Sequence, residues 1–191
     1  MNSNAEEVIT TIVDIFTNQG DEEYLGEPVT ISEHMLQAAH FAGEAGADEI
    51  TIVAALVHDI GHFTSKHGSF TMEDTKDRFH EHAGARILEG AFPPLVVEAV
   101  KNHVDAKRYL CAVDSAYHDG LSDASVHSLK LQGGPMNADE RATFEENPYL
   151  DQILLVRRCD DKGKVAGLEV PPLDHYPVSY THLRAHETHP N

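Results

Sequence analysis

Hydrophobic residues recur at helical spacing along nearly the whole chain. Between residues 5 and 19 they stand three or four positions apart, and Gly20 follows as a helix stop. The same spacing predicts further helices over residues 30–46, 48–61, 78–91, 94–104 and 122–133, and a last one around residues 150–157. No segment alternates apolar and polar residues as a half-buried strand does. The pattern therefore predicts an all-α domain, a single helical bundle.

Residue types suited to helix starts stand at these boundaries. They are Thr30 or Ser32, Asp48, Pro94, Ser122, and Asn137 with Glu140 three residues later, as in a capping box. Residues 21–28, with the sequence DEEYLGEP, and residues 63–76 are polar and contain glycine. We predict loops in both places.

One domain accounts for the chain up to residue 177, since no internal repeat or linker divides it. The end of the chain is unusual. Residues 178–188 read VSYTHLRAHET and resemble the translation of a transposon-type sequencing adapter. We therefore predict that residues 178–191 are a non-native, adapter-derived tail, and we assign no function to its histidines. The alternative is a genuine polar tail.

Composition places the chain among soluble globular proteins. Its 191 residues suffice for one core, with 41% hydrophobic and 24% charged residues. No apolar run approaches the roughly 20 residues that span a bilayer. The N terminus lacks the basic region of a secretory signal, and Cys111 and Cys159 alone make no disulfide framework. We therefore expect a cytoplasmic protein.

The formal charge of -18 narrows the choice of partner. So acidic a surface repels nucleic acid and anionic lipid, which argues against both as ligands. A small anionic substrate remains possible if bound metal supplies local positive charge.

Histidine is abundant, with 14 residues spread along the chain. His58 and Asp59 close a strongly apolar helix, where both side chains would lose hydration unless they are paired or bound to metal. The carboxylate of such a pair can bridge two ions while the imidazole binds one. A single His-Asp pair is weak evidence, because a helix-end histidine beside a solvated aspartate looks the same.

Further ligand-type residues stand near other predicted helix faces and ends. His34 shares the core face of its helix with Ala38, His80 opens the helix HEHAGARIL, and His103 ends the helix VVEAVKNH. Asp160 follows Ile153 by seven residues and therefore shares its apolar face. One buried histidine is usually a hydrogen-bonded core residue. Four histidines with two aspartates are hard to explain in that way.

These residues and the motifs around them resemble the HD superfamily and, within it, the PhnZ-type mixed-valent diiron oxygenases that cleave phosphonates, relatives of myo-inositol oxygenase. The resemblance extends from about Asp21 to Tyr176. The motifs are YLGE (24–27), VTISEH (29–34), HDIGH (58–62), His103 with Lys107, QGGPM (132–136) and RRCDDKGK (157–164). Cys159 departs from the pattern, since an aromatic residue is expected there.

The resemblance implies two metal ions held by six residues. They are His34, His58, Asp59, His80, His103 and Asp160. Asp59 is expected to bridge the ions, with His34 and Asp160 on one and His80 and His103 on the other. Imidazole and carboxylate without thiolate suit Fe, Mn or Zn. The resemblance selects two Fe ions, mixed-valent Fe(II)/Fe(III), with O2 as co-substrate and a 1-hydroxyphosphonate as substrate.

The resemblance also implies roles for residues around the metals. Tyr24, Glu27, His62 and Lys107 are expected to be catalytic, and Glu27, His62, Lys107, Ser125, Gln132 and Arg157 to bind substrate. Simpler interpretations exist for each: basic residues complement helix dipoles, serine and glutamine cap helices, and an acidic loop is merely solvated.

Two other classes of function remain open at this point. A dinuclear HD phosphohydrolase acting on a phosphate ester or nucleotide can use the same six ligands, so O2 uptake is needed to separate it from an oxygenase. A degenerate HD module that only binds a partner is the third class. The complete ligand set argues against that class.

Overall fold

A computed structural model describes residues 3–20, 23–24, 26–64 and 79–176. Within that part of the chain the regular elements are α-helices with two short irregular turns. The helices are α1 (Ser3–Asp14), α2 (Ile31–Glu44), α3 (Glu49–Val57), α4 (Gly61–Thr64), α5 (His80–Leu88), α6 (Pro94–Val113), α7 (Ser115–Asp119), α8 (Asp123–Leu131), α9 (Ala138–Phe144) and α10 (Leu150–Lys162). A π-helical turn, Ile15–Gln19, extends α1, and a 3-10 turn covers Leu173–His175. The prediction of an all-α fold is confirmed.

The predicted caps start their helices. The side chains of Asp48 and Ser122 accept hydrogen bonds from backbone amides in the first turns of α3 and α8. Of the two candidates for α2, Thr30 is the cap, and it forms a capping box with Glu33. The predicted box at Asn137 is also present. Part of the loop predicted over 63–76 belongs to α4, and residues 65–78 lie outside the described ranges, as does the predicted tail over 178–191.

The sixth helix is longer than the sequence pattern indicated. The prediction ended it near Val104, but α6 has 20 residues and reaches Val113. The charged residues after Val104 imitate a helix end, whereas Ala106, Leu110 and Cys111 continue the buried face. The expectation that His103 ends a helix is therefore wrong. His103 lies in the middle of α6, on its buried face.

Helices α2, α3, α6 and α10 pack against one another around a single main core, and α5 packs on α6. Fully buried members of this core include Ile12, Leu56, Val100 and Ile153. The short α4 approaches α5 very closely. A Cβ atom on Gly61 would lie 1.8 Å from the carbonyl oxygen of His80, so only glycine permits this approach. Gly61 thus fixes the position of His80 relative to His58 and Asp59.

The segment before α2 forms a tight reversal against it. The backbone amide of Tyr24 donates to the carbonyl of Val29, and an isolated antiparallel bridge joins Glu23 to Thr30. Gly26 adopts a left-handed φ of 76° in the turn. No named strand occurs in the described ranges. Among the same residues, no helix is both long and apolar enough to cross a membrane.

Candidate metal centre and adjoining cavity

The six candidate ligands meet at the centre of the bundle although they come from five parts of the chain. His34 lies on α2, His58 and Asp59 in the turn after α3, His80 at the first position of α5, His103 on α6 and Asp160 on α10. All are buried except His80, which is partly exposed. The structure therefore brings together the whole set that the sequence analysis singled out.

Backbone carbonyl groups fix the orientation of three of the four imidazoles. Nδ1 of His34 donates to the carbonyl of Gly163 at 2.8 Å, and Nδ1 of His58 to that of Ala55 at 2.7 Å. Nδ1 of His103 donates to the carbonyl of Val100 at 2.6 Å. A carbonyl oxygen only accepts, so Nδ1 carries the proton and Nε2 presents a lone pair to the centre.

One group of ligand atoms surrounds Oδ2 of Asp59. Nε2 of His34 and Nε2 of His58 each lie 3.5 Å from this oxygen and 3.1 Å from one another. Oδ1 of Asp160 lies 3.4 Å from Nε2 of His34. Atoms at such separations can all lie about 2.0–2.2 Å from one point, the usual bond length from a divalent metal ion to nitrogen or oxygen ligands.

A second group surrounds Oδ1 of the same carboxylate. Nε2 of His80 and Nε2 of His103 each lie 3.3 Å from this oxygen and 3.0 Å from one another. Nε2 of His62 is also near, but it lies 3.8 Å from Oδ2 of Asp59. A grouping of Asp59 and His80 with His62 also satisfies a general metal-ligand distance criterion. His103 fits better, since it is closer and faces the same oxygen as His80.

Several buried atoms at the centre lack a partner within the described residues. Oδ2 of Asp59 and Oδ1 of Asp160 accept no hydrogen bond. The lone pairs of His34 and His58 converge at 3.1 Å, which is repulsive unless a cation lies between them. Buried acceptors that converge without donors fit bound metal ions, and the residues present are suited to hold two.

Burial and neighbouring charges also shift the pKa values of the candidate ligands. Burial by itself would raise the pKa of Asp59, but the adjacent histidines outweigh it and hold that pKa well below its ordinary value. Burial also opposes the charged form of His34, yet Asp160 and Asp59 raise its pKa to about 9. The two carboxylates therefore favour positive charge beside His34, whereas burial lowers the pKa of His103.

Arg157 secures the far side of Asp160. Its Nη1 donates to Oδ2 of Asp160 at 2.5 Å, which leaves Oδ1 facing the metal centre. Its Nε donates to Oδ2 of Asp161 and to the hydroxyl of Tyr117, each at 3.1 Å, and its Nη2 donates to Oδ1 of Asp161. The Tyr117 hydroxyl donates to Asp161 at 2.5 Å. One donor of Arg157 thus holds Asp160, while Asp161 and Tyr117 engage its other donors and keep the guanidinium in place.

A small cavity of about 40 Å³ opens directly over the ligand cluster. All the predicted catalytic and substrate-binding residues line it: Tyr24, Glu27, His62, Lys107, Ser125, Gln132 and Arg157. Asp59, His80, His103 and Asp160 form its floor, and Lys164 and Ser128 complete the polar wall. A ligand in this cavity would contact the metal centre and the wall at once.

Three basic side chains line the cavity: Lys107, Lys164 and Arg157. Lys107 is 3% exposed and donates to the Ser128 hydroxyl at 2.6 Å. No carboxylate in the described part of the chain pairs with Lys107 within 4.0 Å. Burial, followed by the charge of Arg157, lowers the pKa of Lys107 to about 7. The side-chain oxygen of Gln132 is also buried without a partner among the described residues.

Tyr24 and Glu27 also line the cavity. The Tyr24 ring stacks on His34 with centroids 4.0 Å apart. Burial, then the charges of Asp59 and Asp160, hold the pKa of Tyr24 well above its ordinary value. Oε1 of Glu27 accepts from the Ser122 hydroxyl at 2.6 Å and lies 3.6 Å from Nζ of Lys164.

Sequence reasoning missed five polar residues of this neighbourhood, among them Ser128, which holds Lys107. Lys164 lies in the motif RRCDDKGK but was given no role, and Ser122 was recognised only as a helix cap. Tyr117 contacts Arg157 across 40 residues of sequence, so no local pattern could reveal it. Asp161 is an i,i+4 partner of Arg157 on α10, a spacing that the sequence does show. Cys159, the departure from the motif, is buried in the core.

Comparison with known proteins identifies the family of the chain. The HD domain family matches residues 31–145. The chain belongs to the HD-domain family. The match includes five of the six candidate ligands, and Asp160 lies beyond it.

Individual relatives match nearly the full chain. One from Leisingera caerulea, named "[1-hydroxy-2-(trimethylamino)ethyl]phosphonate dioxygenase (glycine-betaine-forming)", is 56% identical over 173 residues, which cover 91% of this chain and 88% of the relative. Hydroxymethylphosphonate dioxygenase of Gimesia maris is 44% identical over 174 residues, 89% of this chain and 85% of the relative. An uncharacterized protein of Acanthamoeba polyphaga mimivirus is 33% identical, covering 92% and 82%. The resemblance to HD-domain phosphonate oxygenases is confirmed.

Proposed function

We propose that this protein is a diiron oxygenase that uses O2 to cleave the C–P bond of a 1-hydroxyphosphonate. One observation carries the proposal: a cavity lined by Lys107, Lys164 and Arg157 opens directly onto a ligand cluster suited to two metal ions. The names of two relatives, each covering most of the chain, support the phosphonate chemistry. The acidic surface and the buried free thiols of Cys111 and Cys159 fit a small-molecule enzyme of the cytoplasm.

Two iron ions would be held by the two groups of ligand atoms. His34, His58 and Asp160 would hold one ion, His80 and His103 the other, and Asp59 would bridge them through its two oxygens. This donor set suits mixed-valent Fe(II)/Fe(III), which when bound would supply activation of O2 and polarisation of substrate oxygens. The Nδ1–carbonyl hydrogen bonds keep the imidazoles in the required orientation.

Lys107 would bind the phosphonate group. Its ammonium is buried, lines the cavity and pairs with no described carboxylate, so it is available to an anion. Ser125, Gln132 and His62 would donate to the remaining phosphonate oxygens. Burial lowers the pKa of His62 to about 3, so its neutral ring can donate from one nitrogen and accept at the other. Arg157 would add positive charge from behind Asp160.

The Tyr24–Glu27 loop would act as a gate and would bind the end of the substrate that lies away from the phosphonate. Tyr24 lies over His34, where its phenolate would bind an iron ion before substrate arrives, because the ion's charge offsets the raised pKa. Substrate would displace this ring, and Glu27 would accept a hydrogen bond from a substrate ammonium. Closure of the loop would keep water from the reacting groups.

The overall reaction balances with O2 as the oxidant. 2-Amino-1-hydroxyethylphosphonate and O2 would give glycine and phosphate, with one added oxygen atom in the carboxylate and the other in the phosphate. Oxidation at C1 is required because the unoxidised carbon is a poor leaving group from phosphorus. The metal ligands alone do not distinguish this reaction from phosphate-ester hydrolysis.

The decisive experiment compares phosphate release in air and under argon. Iron-loaded protein should release phosphate from 2-amino-1-hydroxyethylphosphonate only when O2 is present, and it should leave bis(p-nitrophenyl) phosphate intact. Phosphate release that continues without O2, or rapid hydrolysis of the ester, would instead support a dinuclear phosphohydrolase.

A further inference from the structure

Lys164 lies just beyond the end of α10 and reaches into the wall of the cavity. Its Nζ donates to the Ser125 hydroxyl at 3.1 Å and lies 3.6 Å from Oε1 of Glu27. It also lies 5.8 Å from the centre of the Tyr24 ring. The lysine therefore contacts both residues of the proposed gate as well as the start of α8.

The Glu27 carboxylate is shared between two partners. Ser122 donates to Oε1, the same oxygen that faces Lys164. The side chains of Lys164 and Glu27 are each only 12% exposed, so solvent screens their attraction weakly. In this arrangement the charge of Glu27 is already balanced before any substrate enters.

Lys107 and Lys164 differ in this respect although they line the same cavity. Lys107 is held by the neutral Ser128 hydroxyl, whereas Lys164 faces a carboxylate. A phosphonate can therefore take the free charge of Lys107, while the charge of Lys164 belongs to Glu27. The two lysines bind neighbouring serines of α8 but differ in whether a carboxylate balances their charge.

We infer that Lys164 is the counter-ion of Glu27 and thereby determines how strongly the cavity prefers substrates with a cationic end. The inference rests on the proposed function. A substrate ammonium must compete with Lys164 for Glu27, but a substrate without an amine leaves the Lys164–Glu27 pair intact. Removal of Lys164 should strengthen binding of the cationic substrate and weaken binding of the amine-free one.

The test is anaerobic calorimetry on iron-loaded protein, which measures binding without turnover. The probes are 2-amino-1-hydroxyethylphosphonate and hydroxymethylphosphonate, and the quantity is the ratio of their Kd values. Lys164→Met should shift this ratio about tenfold towards the amino substrate, because one buried charge of opposite effect on the two probes is lost. Lys164→Arg, which keeps the charge, should leave the ratio near that of the parent protein.

A double variant identifies the partner. In Glu27→Gln, the further change Lys164→Met should no longer shift the ratio, since the carboxylate that it balances is gone. Iron content, measured for each variant, serves as the folding control, and Lys164→Gln provides the same comparison if methionine destabilises the protein.

Two results would overturn the inference. An equal loss of affinity for both probes in Lys164→Met would make Lys164 a phosphonate ligand, and an undiminished shift in the Glu27→Gln background would show that it acts elsewhere. In either case the parent protein still binds both probes and releases phosphate in air, so the proposed function stands. If the parent protein binds neither probe, both proposals fail.

Discussion

The floor and the wall of the cavity are built in different ways. On the floor, taken from here on as all six candidate metal ligands, His34, His58 and His103 are each oriented by a backbone carbonyl. On the wall, Glu27, Lys107 and Lys164 are held by serine hydroxyls or by one another. A backbone partner persists as long as the helices pack, whereas a side-chain partner is lost by one substitution or exchanged for a ligand. The metal-binding floor is therefore rigid, and the wall is where substrate preference can vary.

The names of two relatives show which part of a substrate differs between them. The Leisingera protein is named for a trimethylamino substrate and the Gimesia protein for hydroxymethylphosphonate, yet both match this chain over most of its length. Those two substrates share the hydroxyphosphonate part and differ at the other end. A difference of that kind calls for changes in the wall while the floor is kept.

Loss of the bridging carboxylate should have the largest effect. We expect two iron atoms per chain after aerobic purification. Asp59→Ala should lose both and all activity, because Asp59 contributes an oxygen to each ligand group. Elemental analysis measures this. Asp119→Ala, at an exposed site with the same chemical change, should keep both atoms. Full iron content in Asp59→Ala would contradict the bridge.

The wall should respond differently at Lys107. Lys107→Ala should raise KM about 10- to 100-fold with iron content unchanged, since it removes a charge-assisted hydrogen bond worth roughly 1.5–3 kcal/mol. Steady-state phosphate release at saturating O2 gives KM. Lys101→Ala, on the same helix but half exposed, is the matched control. An unchanged KM in Lys107→Ala would reduce it to a structural lysine.

The pH dependence of KM tests whether Lys107 binds the substrate in its protonated form. Burial lowers its pKa to about 7, so the unliganded side chain is charged below that pH and neutral above it. The KM for hydroxymethylphosphonate should therefore rise about tenfold between pH 7 and 8.5 relative to Lys107→Arg, which stays protonated. The substrate's own ionisation cancels in this ratio. Parallel pH profiles for the two proteins would remove the lysine from the explanation.

Glu27 should affect only one class of substrate. Glu27→Ala should lower kcat/KM about tenfold for 2-amino-1-hydroxyethylphosphonate and by much less for hydroxymethylphosphonate, which has no ammonium to bind. Glu23→Ala, exposed in the same segment, should change neither. Equal losses on the two substrates would show that Glu27 does not read the amine.

We expect the smallest effect, a modest loss of iron affinity, from a change at Tyr117, which does not contact the metal ligands directly. Tyr117→Phe removes a hydroxyl that contacts Arg157 and Asp161, two steps from the metal centre. Iron affinity, measured by competition with a chelator, should fall about threefold, less than for direct partners of metal ligands. Tyr109→Phe, whose hydroxyl bonds to Glu145, should bind iron as the parent protein does. A loss of iron as large as that in Asp59→Ala would show that the metal ligands depend on these outer side chains, contrary to what we infer.

The floor was also easier to predict from sequence than the wall. Several ligands stand at a local signal, such as the apolar helix before His58 or the buried helix face of His34, although the helix end predicted at His103 was wrong. The pairing of Glu27 with Ser122 joins residues 95 apart, and no local pattern predicts it. The length of α6 was missed for a related reason, since its charged residues lie among buried positions that only packing reveals.

The central claim is that the floor and wall together carry out O2-dependent C–P cleavage. Its most direct test is the stoichiometry of iron-loaded protein acting on 2-amino-1-hydroxyethylphosphonate, with O2 followed by an electrode and both products quantified. We expect equal amounts of O2 consumed, phosphate released and glycine formed. Phosphate released without matching O2 consumption would contradict it.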